Sequence, residues 1–238
     1  MVIRLNDPEL VRRQYASEDG LAVRRDFQLR FREGPDAFDT AFEAVAEARP
    51  RRVLEVGCGM GNFAERVARD TSAEIVATDL SPRMVEVARK RGLDARVADV
   101  QELPFDDGEF DCAVANAMLY HVEDLDRALS ELARVLEPGG RLVAVTIGEG
   151  HMAEVWRLVG YRKPERPFSR ENGEEQLARH FRSVEREDVD AQLVFPNATA
   201  VHEYVNSTIF SAQVARPLPE FDGPFRASVH ATVFVAER

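Results

Sequence analysis

A glycine-rich segment, Glu55-Val-Gly57-Cys-Gly59-Met-Gly61, carries the clearest chemical signal in the sequence. It lies between a short apolar run and a stretch with helical periodicity. Glycines let the chain turn sharply and let a ligand approach the backbone without meeting Cβ atoms. The N-terminus of the following helix presents unpaired N–H groups with partial positive charge. The segment therefore predicts a site for an anionic group, although a tight strand–helix connection without a ligand has the same pattern.

The spacing of these glycines distinguishes between ligands. A dinucleotide-binding turn has the pattern G-x-G-x-x-G, with room for a pyrophosphate. Here the glycines follow G-x-G-x-G, and Glu55 lies two residues before the first of them. An acid at this place would repel a pyrophosphate but suits an ammonium group. A ligand with both a carboxylate and an ammonium group, such as an amino acid, fits both features.

Short apolar runs alternate with helical segments after residue 50. We predict strands at 53–56, 74–79, 95–98, 110–115 and 142–147. The alternation and the nearly continuous apolar strands predict a doubly wound, mostly parallel α/β sheet with both faces covered. A weak strand at 183–189 and an antiparallel C-terminal strand at 227–236 complete a sheet of seven strands.

The remaining segments predict how the chain is organised around this sheet. We expect a helical N-terminal cap at residues 1–50 and a domain at residues 51–238. A helix is expected at 171–181. A lid insertion at 190–226 contains a helical segment at 198–210 and a turn-rich run from Arg216. A long excursion between two paired strands is typical of a lid.

Polar residues stand where three of the strands end. Asp79 ends the second strand, Asp99 follows the third and Asn116 follows the fourth. Ligands of open α/β sheets bind outside the carboxyl ends of the strands, so we expect these residues and Gly57 to share one site. Each also has an ordinary structural alternative: Asp79 as a cap for the helix after Ser81, and the other two as turn residues.

Residues 53–147 resemble the core of the class I S-adenosylmethionine-dependent methyltransferases, which have a Rossmann-like sheet. Ordered motifs carry the resemblance: Val53-Leu-Glu-Val-Gly-Cys-Gly-Met-Gly61, Ala77-Thr-Asp79-Leu-Ser, Ala98-Asp99-Val100, Phe110-Asp-Cys-Ala-Val-Ala-Asn116 and Arg134-Val-Leu-Glu-Pro-Gly-Gly-Arg-Leu. The resemblance implies S-adenosylmethionine as the cofactor and methyl transfer as the activity.

The resemblance also implies which residues hold the methionyl end of this cofactor. Gly57, Gly59 and Gly61 would lie against it, and Glu55 would lie near its ammonium group. Asn116 stands where a backbone carbonyl of the family meets the same ammonium.

The nucleoside end would be held by the residues after the second and third strands. Asp79 would accept hydrogen bonds from both ribose hydroxyls, and Leu80 and Met84 would pack against the adenine. Asp99 would bond the adenine amino group, and the backbone N–H of Val100 would meet a ring nitrogen.

Methyl transfer from a sulfonium chiefly requires that the acceptor is held in line with the methyl group. A hydroxyl acceptor also needs a base, whereas an amine, thiol or activated carbon needs little help. Of the five histidines, His121 is our candidate for proton transfer and His151 is second, because both closely follow strands of the site. A histidine near His121 also belongs to the family motif without acting as a base. His180, His202 and His230 are expected to have ordinary packed or solvated roles.

Selection of the acceptor is assigned to the N-terminal helices and the lid. Tyr15 and the pair Arg24-Arg25 would close over the sulfonium or meet an acidic substrate, and a solvated helix face is the alternative. Aromatic residues in or near the insertion favour an apolar pocket for a small organic acceptor, or equally the packing of the lid: Phe195, Tyr204, Phe210, Phe221 and Phe225.

Charge and composition argue against several partners. The net charge of −11 disfavours nucleic acids and anionic membranes. The sequence has no apolar stretch long enough for a signal peptide or a membrane span. Cys58 and Cys112 form no disulfide framework or metal-ligand spacing, which indicates a reducing, cytoplasmic location. The acidic run at residues 106–109 is expected to be a solvated turn, and we predict no metal. Monomer and homodimer stay open.

Three other functions are alternatives to a small-molecule methyltransferase. An RNA or protein methyltransferase is disfavoured by the acidic charge. A nicotinamide-dependent oxidoreductase requires the glycine spacing that this turn lacks. A non-catalytic regulator that binds S-adenosylmethionine stays open, because the sequence identifies no catalytic side chain.

Overall fold

The computed structural model describes residues 5–161, 164–208, 210–211 and 217–238. Within them the strands are β1 (Arg32–Glu33), β2 (Arg52–Val56), β3 (Glu74–Asp79), β4 (Asp94–Val97), β5 (Phe110–Asn116), β6 (Leu136–Ile147), β7 (Ser183–Phe195) and β8 (Phe225–Glu237). The α-helices are α1 (Pro8–Gln14), α2 (Asp19–Phe31), α3 (Ala37–Ala48), α4 (Asn62–Asp70), α5 (Pro82–Lys90), α6 (Leu125–Val135), α7 (Ala153–Leu158), α8 (Gly173–Leu177) and α9 (Ala198–Asn206). A 3₁₀ turn spans Leu119–His121.

All the described strands belong to one sheet, in the order β1-β7-β8-β6-β5-β2-β3-β4. Strands β2 to β6 pair in parallel, and β8 runs antiparallel to β6 and β7. The doubly wound, mostly parallel sheet with an antiparallel C-terminal strand is confirmed. The predicted count of seven strands is wrong, because the described residues form eight. The extra strand, β1, pairs only two residues with the edge of β7, which is too short to leave a periodic pattern in the sequence.

A strand does begin at residue 183 as predicted, but its predicted end at 189 and the start of the insertion at 190 are wrong. Strand β7 continues to Phe195 and pairs with β8 along its whole length, from Ser183 opposite Glu237 to Phe195 opposite Phe225. Most of the first half of β7 is exposed and charged, so the sequence shows little apolar alternation there. The excursion between the two strands is therefore residues 196–224. Residue 209 and residues 212–216, where the turn-rich run begins, lie outside the described residues.

Smaller differences concern the ends of elements. The helix expected at 171–181 is only the short α8, and the helical segment expected at 198–210 ends at Asn206. The strand predicted at 142–147 is β6, which begins at Leu136, six residues before the predicted start. Its pairing with β5 shifts between Phe110 and Cys112, and Gly139 has a φ of 82° there. Pro138-Gly139-Gly140 thus forms an irregularity within the strand rather than a separate loop.

Local sequence signals place helix α5 directly behind the end of β3. The Ser81 side chain accepts a hydrogen bond from the Met84 N–H at 3.4 Å, and Pro82 occupies the first turn. Both are favoured at helix N-termini. Because the helix begins three residues after Asp79, the sequence itself fixes that carboxylate at the edge of the sheet.

Two layers of helices cover the sheet, as its apolar strands predict. Helix α6 packs on one face through residues such as Leu129 and Leu132, together with Phe110. On the other face Val45 of α3 shares a cluster with the strand residues of β6 and β8. Helix α3 is therefore part of the sheet's helical layer, and the predicted domain boundary at residue 50 stays a prediction.

A separate apolar cluster joins the N-terminal helix α2 to the excursion after β7. Phe27 of α2 lies with its ring centroid 5.6 Å from that of Phe195 and 5.8 Å from that of Tyr204. Trp156 of α7 belongs to the same cluster. We call these four residues the roof cluster. It holds α2 and α9 together above one edge of the sheet.

Candidate active site

A cavity of about 780 Å³ opens at the carboxyl ends of the central strands. Val56, Asp79, Asn116 and Ile147, at the ends of β2, β3, β5 and β6, all line it. Helices α1 and α2 line it from the opposite side. Its volume lies in the upper part of the range for small-molecule sites, roughly 300–1,000 Å³. The structure thus brings together the strand ends that the sequence predicted to share a site.

The glycine-rich turn forms one wall of this cavity. Gly57 and Gly59 have φ angles of 65° and 53°, a region that residues with a Cβ rarely adopt. A Cβ on Gly57 would lie 2.8 Å from the Cβ of Met118. The turn is held to the next strand by the Cys58 N–H, which donates to the carbonyl oxygen of Thr78 at 2.9 Å. Glycine at position 57 is therefore required by both the backbone conformation and the neighbouring side chain.

The Asp79 carboxylate links this turn to the start of helix α5. Its Oδ2 accepts a hydrogen bond from the Gly59 N–H at 2.9 Å, and its Oδ1 accepts one from the Ser81 N–H at 2.8 Å. Burial raises the pKa of this carboxyl, and the two N–H groups oppose the shift. Because a carboxylate has about four lone-pair positions, Asp79 can accept further hydrogen bonds from a ligand in the cavity.

Glu55 and Asn116 form a buried polar pair beneath the cavity. The Asn116 Nδ2 donates to Glu55 Oε1 at 3.5 Å, and only 2% of Glu55 is exposed. Burial raises the pKa of Glu55 to about 8, against the opposing effects of the Asn116 amide and the Ala64 N–H. Within the described part of the chain, Glu55 Oε2 and Asn116 Oδ1 are buried acceptors without a hydrogen-bond donor. Two such acceptors beside one cavity fit an ammonium group, which carries several donors.

The opposite end of the cavity is formed by the residues after β4 and β3. Asp99, Val100 and Leu80 line it, and Leu80 is 45% exposed. The Asp99 Oδ1 accepts hydrogen bonds from the N–H and the Nε2 of Gln101 at 2.9 and 3.0 Å. Gln101 also lines the cavity, and the sequence analysis did not single it out.

Two residues assigned to the cofactor lie outside the cavity lining. Met84 is 0% exposed and shares the buried face of α5 with Val85 and Ala88, so the expected packing of Met84 against the adenine is not seen. The spacing 84, 85 and 88 is that of a helix stripe facing the core. Gly61 also lies outside the lining, where a Cβ would meet Leu93 Cδ1 at 2.6 Å. Gly61 is required for packing of the turn.

The chain after Asn116 makes a sharp bend into the 3₁₀ turn. Ala117 has a φ of 53°, a left-handed conformation that is uncommon for a residue with a Cβ. Its N–H donates to the carbonyl oxygen of Val145 at 2.9 Å, which holds the bend against β6. The bend carries Tyr120 and His121 over the cavity. Strained backbone of this kind is typical of functional sites, and no motif in the sequence predicts it.

His121 is held by contacts from the N-terminal helices. Its Nδ1 lies 3.0 Å from the Leu5 carbonyl oxygen, and its Nε2 lies 3.0 Å from the Tyr15 hydroxyl. A carbonyl only accepts, so Nδ1 carries the proton and Nε2 accepts from Tyr15. Burial lowers the pKa of His121 to about 4. Both ring nitrogens are therefore occupied in a neutral ring, and proton transfer by His121 stays a prediction.

Comparison with known proteins identifies the central segment. Residues 54–144 match the family model described as a methyltransferase domain. This segment is a class I S-adenosylmethionine-dependent methyltransferase domain. The resemblance read from the sequence motifs is thereby confirmed, since the matched residues contain the glycine turn, Asp79, Asp99 and Asn116.

One curated relative matches much of the methyltransferase domain and its surroundings. The malonyl-(acyl-carrier protein) O-methyltransferase of Methylococcus capsulatus is 34% identical over 163 residues, which cover 64% of this chain and 59% of that protein. The chain spans about half the length of the curated relatives that it matches.

Solved structures share the fold of the methyltransferase domain. The phosphoethanolamine N-methyltransferase 2 of Haemonchus contortus, in complex with phosphomonomethylethanolamine and S-adenosylhomocysteine, has a TM-score of 0.64 and 17% identity, covering 100% of this chain and 61% of that one. The (4+2)-cyclase SpnF has a TM-score of 0.57 and 24% identity, covering 83% of this chain and 80% of that one. These likenesses show the fold alone, and a fold hosts more than one reaction.

Beyond the methyltransferase motifs, the cavity continues between α2, α7 and the excursion after β7. Trp156, Tyr204 and Phe210 provide aromatic walls there, and Arg24 and Arg166 provide positive charge. Arg24 was expected to lie at the site, and its Nη1 donates to the Ser207 carbonyl oxygen. The sequence analysis missed Trp156 and Arg166, because neither lies in a motif or follows a strand directly.

The roles of the remaining histidines stay predictions, and His202, on α9, does not line the cavity. His151 is buried and lines the cavity. His180 lies 2.8 Å from an Asp126 carboxylate oxygen and His230 lies 3.0 Å from one of Asp190, and neither lines the cavity. Among the described residues, no group of three or more His, Cys, Asp or Glu side chains is placed to hold a metal ion. The part of the chain that the structure describes also contains no helix long and apolar enough to cross a membrane.

Proposed function

We propose that the protein binds S-adenosylmethionine in this cavity and transfers its methyl group to a small organic acceptor. The observation that carries the proposal is the pair of buried acceptors, Glu55 Oε2 and Asn116 Oδ1, beside the glycine turn. A methionyl ammonium group would satisfy both. The S-adenosylhomocysteine in the complex of the Haemonchus contortus relative supports the same type of ligand.

The residues at the other end of the cavity fit a nucleoside. Asp79 has acceptor capacity beyond its two backbone hydrogen bonds, which suits a ribose with two hydroxyls. Asp99 and Val100 line the wall where an adenine would lie, and exposed Leu80 offers an apolar surface. These roles, like that of Glu55, remain our proposal for the individual residues.

When bound, S-adenosylmethionine supplies the methyl group. The protein's own contribution is to bind, to orient and to exclude water. Helices α1 and α2 lie across the cavity, and the Tyr15–His121 hydrogen bond joins α1 to the bend after β5. The aromatic walls formed by Trp156, Tyr204 and Phe210 would hold the acceptor. Holding two reactants in line gives effective concentrations of about 10⁵ M or more, so methyl transfer to an activated acceptor needs no further base.

We further propose that the acceptor is a small molecule and that the protein works in the cytoplasm. Both cysteines, Cys58 and Cys112, are free and buried, as in a reducing compartment. The net charge of −11 disfavours nucleic acid as a partner.

The proposed function is tested in two steps. Calorimetry gives the Kd of S-adenosylmethionine, of S-adenosylhomocysteine and, for comparison, of NADH, and so shows which cofactor the protein binds. A screen of small metabolites with methyl-labelled S-adenosylmethionine, followed by mass spectrometry, measures transfer of the label. Tighter binding of NADH would contradict the cofactor. Cofactor binding without label transfer to any acceptor would favour a non-catalytic regulator.

A further inference from the structure

Arg166 is a buried cation in the part of the cavity between α2, α7 and the excursion after β7, where the acceptor is proposed to bind. We call this part the acceptor end. Arg166 is 5% exposed and lines the cavity. Its side-chain hydrogen bonds to the described residues all come from Nη1, which donates to the Gly148 carbonyl oxygen at 3.3 Å and to Glu149 Oε2 at 3.2 Å. Within the described part of the chain, its Nε is buried and has no partner. Nη1 of the guanidinium therefore bonds to the protein, and the edge formed by Nε and Nη2 is available to a ligand.

The remaining edge of Arg166 has a specific chemistry. Nε and Nη2 point their N–H groups in parallel, and this fork matches the two oxygens of a carboxylate. A buried donor without an acceptor destabilises the folded state. A bound carboxylate would remove that destabilisation and form two charge-assisted hydrogen bonds.

The surroundings of Arg166 are electropositive. Burial raises the pKa values of Tyr120 and Tyr204, and the positive charges of Arg24 and Arg166 lower both. At Tyr204 the neighbouring Tyr120 phenol adds to the rise. The carboxylate that pairs with Arg166, Glu149, neutralises one of the two positive charges. Of Arg24, Arg166 and Glu149, one positive charge is left over, which fits a singly charged anion better than a doubly charged phosphate.

Aromatic residues line the same cavity as Arg166. The ring centroids of Trp156 and Phe210 lie 5.5 Å apart in an edge-to-face arrangement, and Tyr204 belongs to the same roof cluster. All three residues line the cavity. Such walls suit the hydrocarbon part of a ligand, while a few placed polar groups fix its orientation.

We propose that Arg166 is a specificity-determining residue that binds the carboxylate of an organic acid acceptor. Arg24 contributes the second positive charge, and the body of the acid lies against Trp156, Tyr204 and Phe210. This inference rests on the proposed function, because it assigns a substrate class to the same cavity.

The test uses the full chain saturated with S-adenosylhomocysteine and three matched pairs of probes. The pairs are benzoate and benzamide, 4-hydroxybenzoate and 4-hydroxybenzamide, and phenylacetate and phenylacetamide, and phenyl phosphate is added for comparison. Calorimetry or ligand-observed NMR gives each Kd for the wild type, Arg166→Gln, Arg166→Lys and Arg12→Gln. Arg12 is an exposed arginine at the cavity rim and serves as the matched control.

We expect at least one acid to bind the wild type ten-fold or more tightly than its amide. Arg166→Gln should remove this difference, Arg166→Lys should keep part of it, and Arg12→Gln should leave it unchanged. The inference is overturned if no acid binds better than its amide, if Arg166→Gln keeps the preference, or if phenyl phosphate binds ten-fold more tightly than every acid. If Arg166→Gln does not fold, the inference is decided by two other measurements. These are the acid and amide affinities of the wild type and the affinities of Arg166→Lys. Failure of S-adenosylhomocysteine to bind the wild type contradicts the proposed function instead.

Discussion

The Tyr15 hydroxyl and the Nε2 of His121 lie 3.0 Å apart, although 106 positions separate the two residues. Their rings meet edge to face with centroids 5.6 Å apart. The same stretch of chain is fixed a second time, because the Ser81 hydroxyl donates to the Tyr15 carbonyl oxygen at 2.9 Å. Tyr15 thus ties the N-terminal helices to the ends of both β5 and β3, on either side of the cavity.

Replacement of Tyr15 by phenylalanine tests this connection. The variant loses a partly buried hydrogen bond worth about 0.5–1.5 kcal/mol and leaves His121 Nε2 without a donor. For a chain of this size each kcal/mol lowers Tm by about 2–4 °C. We expect a Tm lower by a few degrees and faster tryptic cleavage within α1 and α2. Tyr161→Phe is the control, because Tyr161 does not line the cavity. An equal effect of the two substitutions would contradict the role of Tyr15.

Glu55→Gln is expected to raise the stability of the protein at high pH while weakening the binding of S-adenosylhomocysteine. The pKa of Glu55 is raised from 4.5 to about 8 by burial, so the folded state binds the proton more tightly than the unfolded state. The stability of the wild type relative to the Gln variant therefore falls as pH rises from about 4.5 to 8 and is constant above that range. We expect the Tm advantage of Glu55→Gln to grow between pH 5 and pH 8.5. The expected stabilisation at high pH is several kcal/mol, because each unit of a pKa shift corresponds to about 1.4 kcal/mol.

The same variant should bind S-adenosylhomocysteine at least ten-fold more weakly at pH 8, because an amide cannot neutralise the ligand's ammonium. Glu123→Gln is the matched control, since Glu123 also lines the cavity but is exposed. A Glu55→Gln variant with unchanged affinity, measured by calorimetry, would remove the ammonium assignment.

Asp79→Ala is expected to weaken cofactor binding strongly. It also removes the acceptors for the Gly59 and Ser81 N–H groups, so the fold is expected to lose some stability as well. We expect at least a ten-fold rise in the Kd of S-adenosylhomocysteine and a measurable fall in Tm. The control is Asp39→Ala, an exposed aspartate at the cavity rim that pairs with Arg66. Unchanged affinity of Asp79→Ala would contradict the ribose assignment.

Gly57→Ala separates a steric effect from a conformational one. Gly57 and Gly92 have φ angles of 65° and 84°, but a Cβ on Gly92 meets nothing within 4 Å. Gly92→Ala should therefore cost only the left-handed conformation, about 1–2 kcal/mol. Gly57→Ala must also displace Met118, so its free energy of unfolding should fall further and its affinity for S-adenosylhomocysteine should be lost. Denaturant unfolding of both variants measures the difference, and equal costs would show that Met118 moves aside freely.

The sequence by itself determined the parallel core of the sheet, the glycine turn and the places of Asp79, Asp99 and Asn116. These features are local: a strand, a turn and a helix start within a few residues of one another. Parallel strands then carry their carboxyl ends to one edge without further information. For the same reason the methyltransferase family was recognisable from motifs alone.

Only the tertiary structure decided which distant groups meet. The Glu55–Asn116 pair joins residues 61 positions apart, and the unpaired oxygens of this pair are visible only once the two side chains are buried together. Met84 lies on the buried face of α5 and therefore does not line the cavity. Arg166 lines the cavity because of the path that the chain takes through α7 and residues 164–172. Side-chain contacts between remote segments depend on helix rotation and loop paths, which no local spacing encodes.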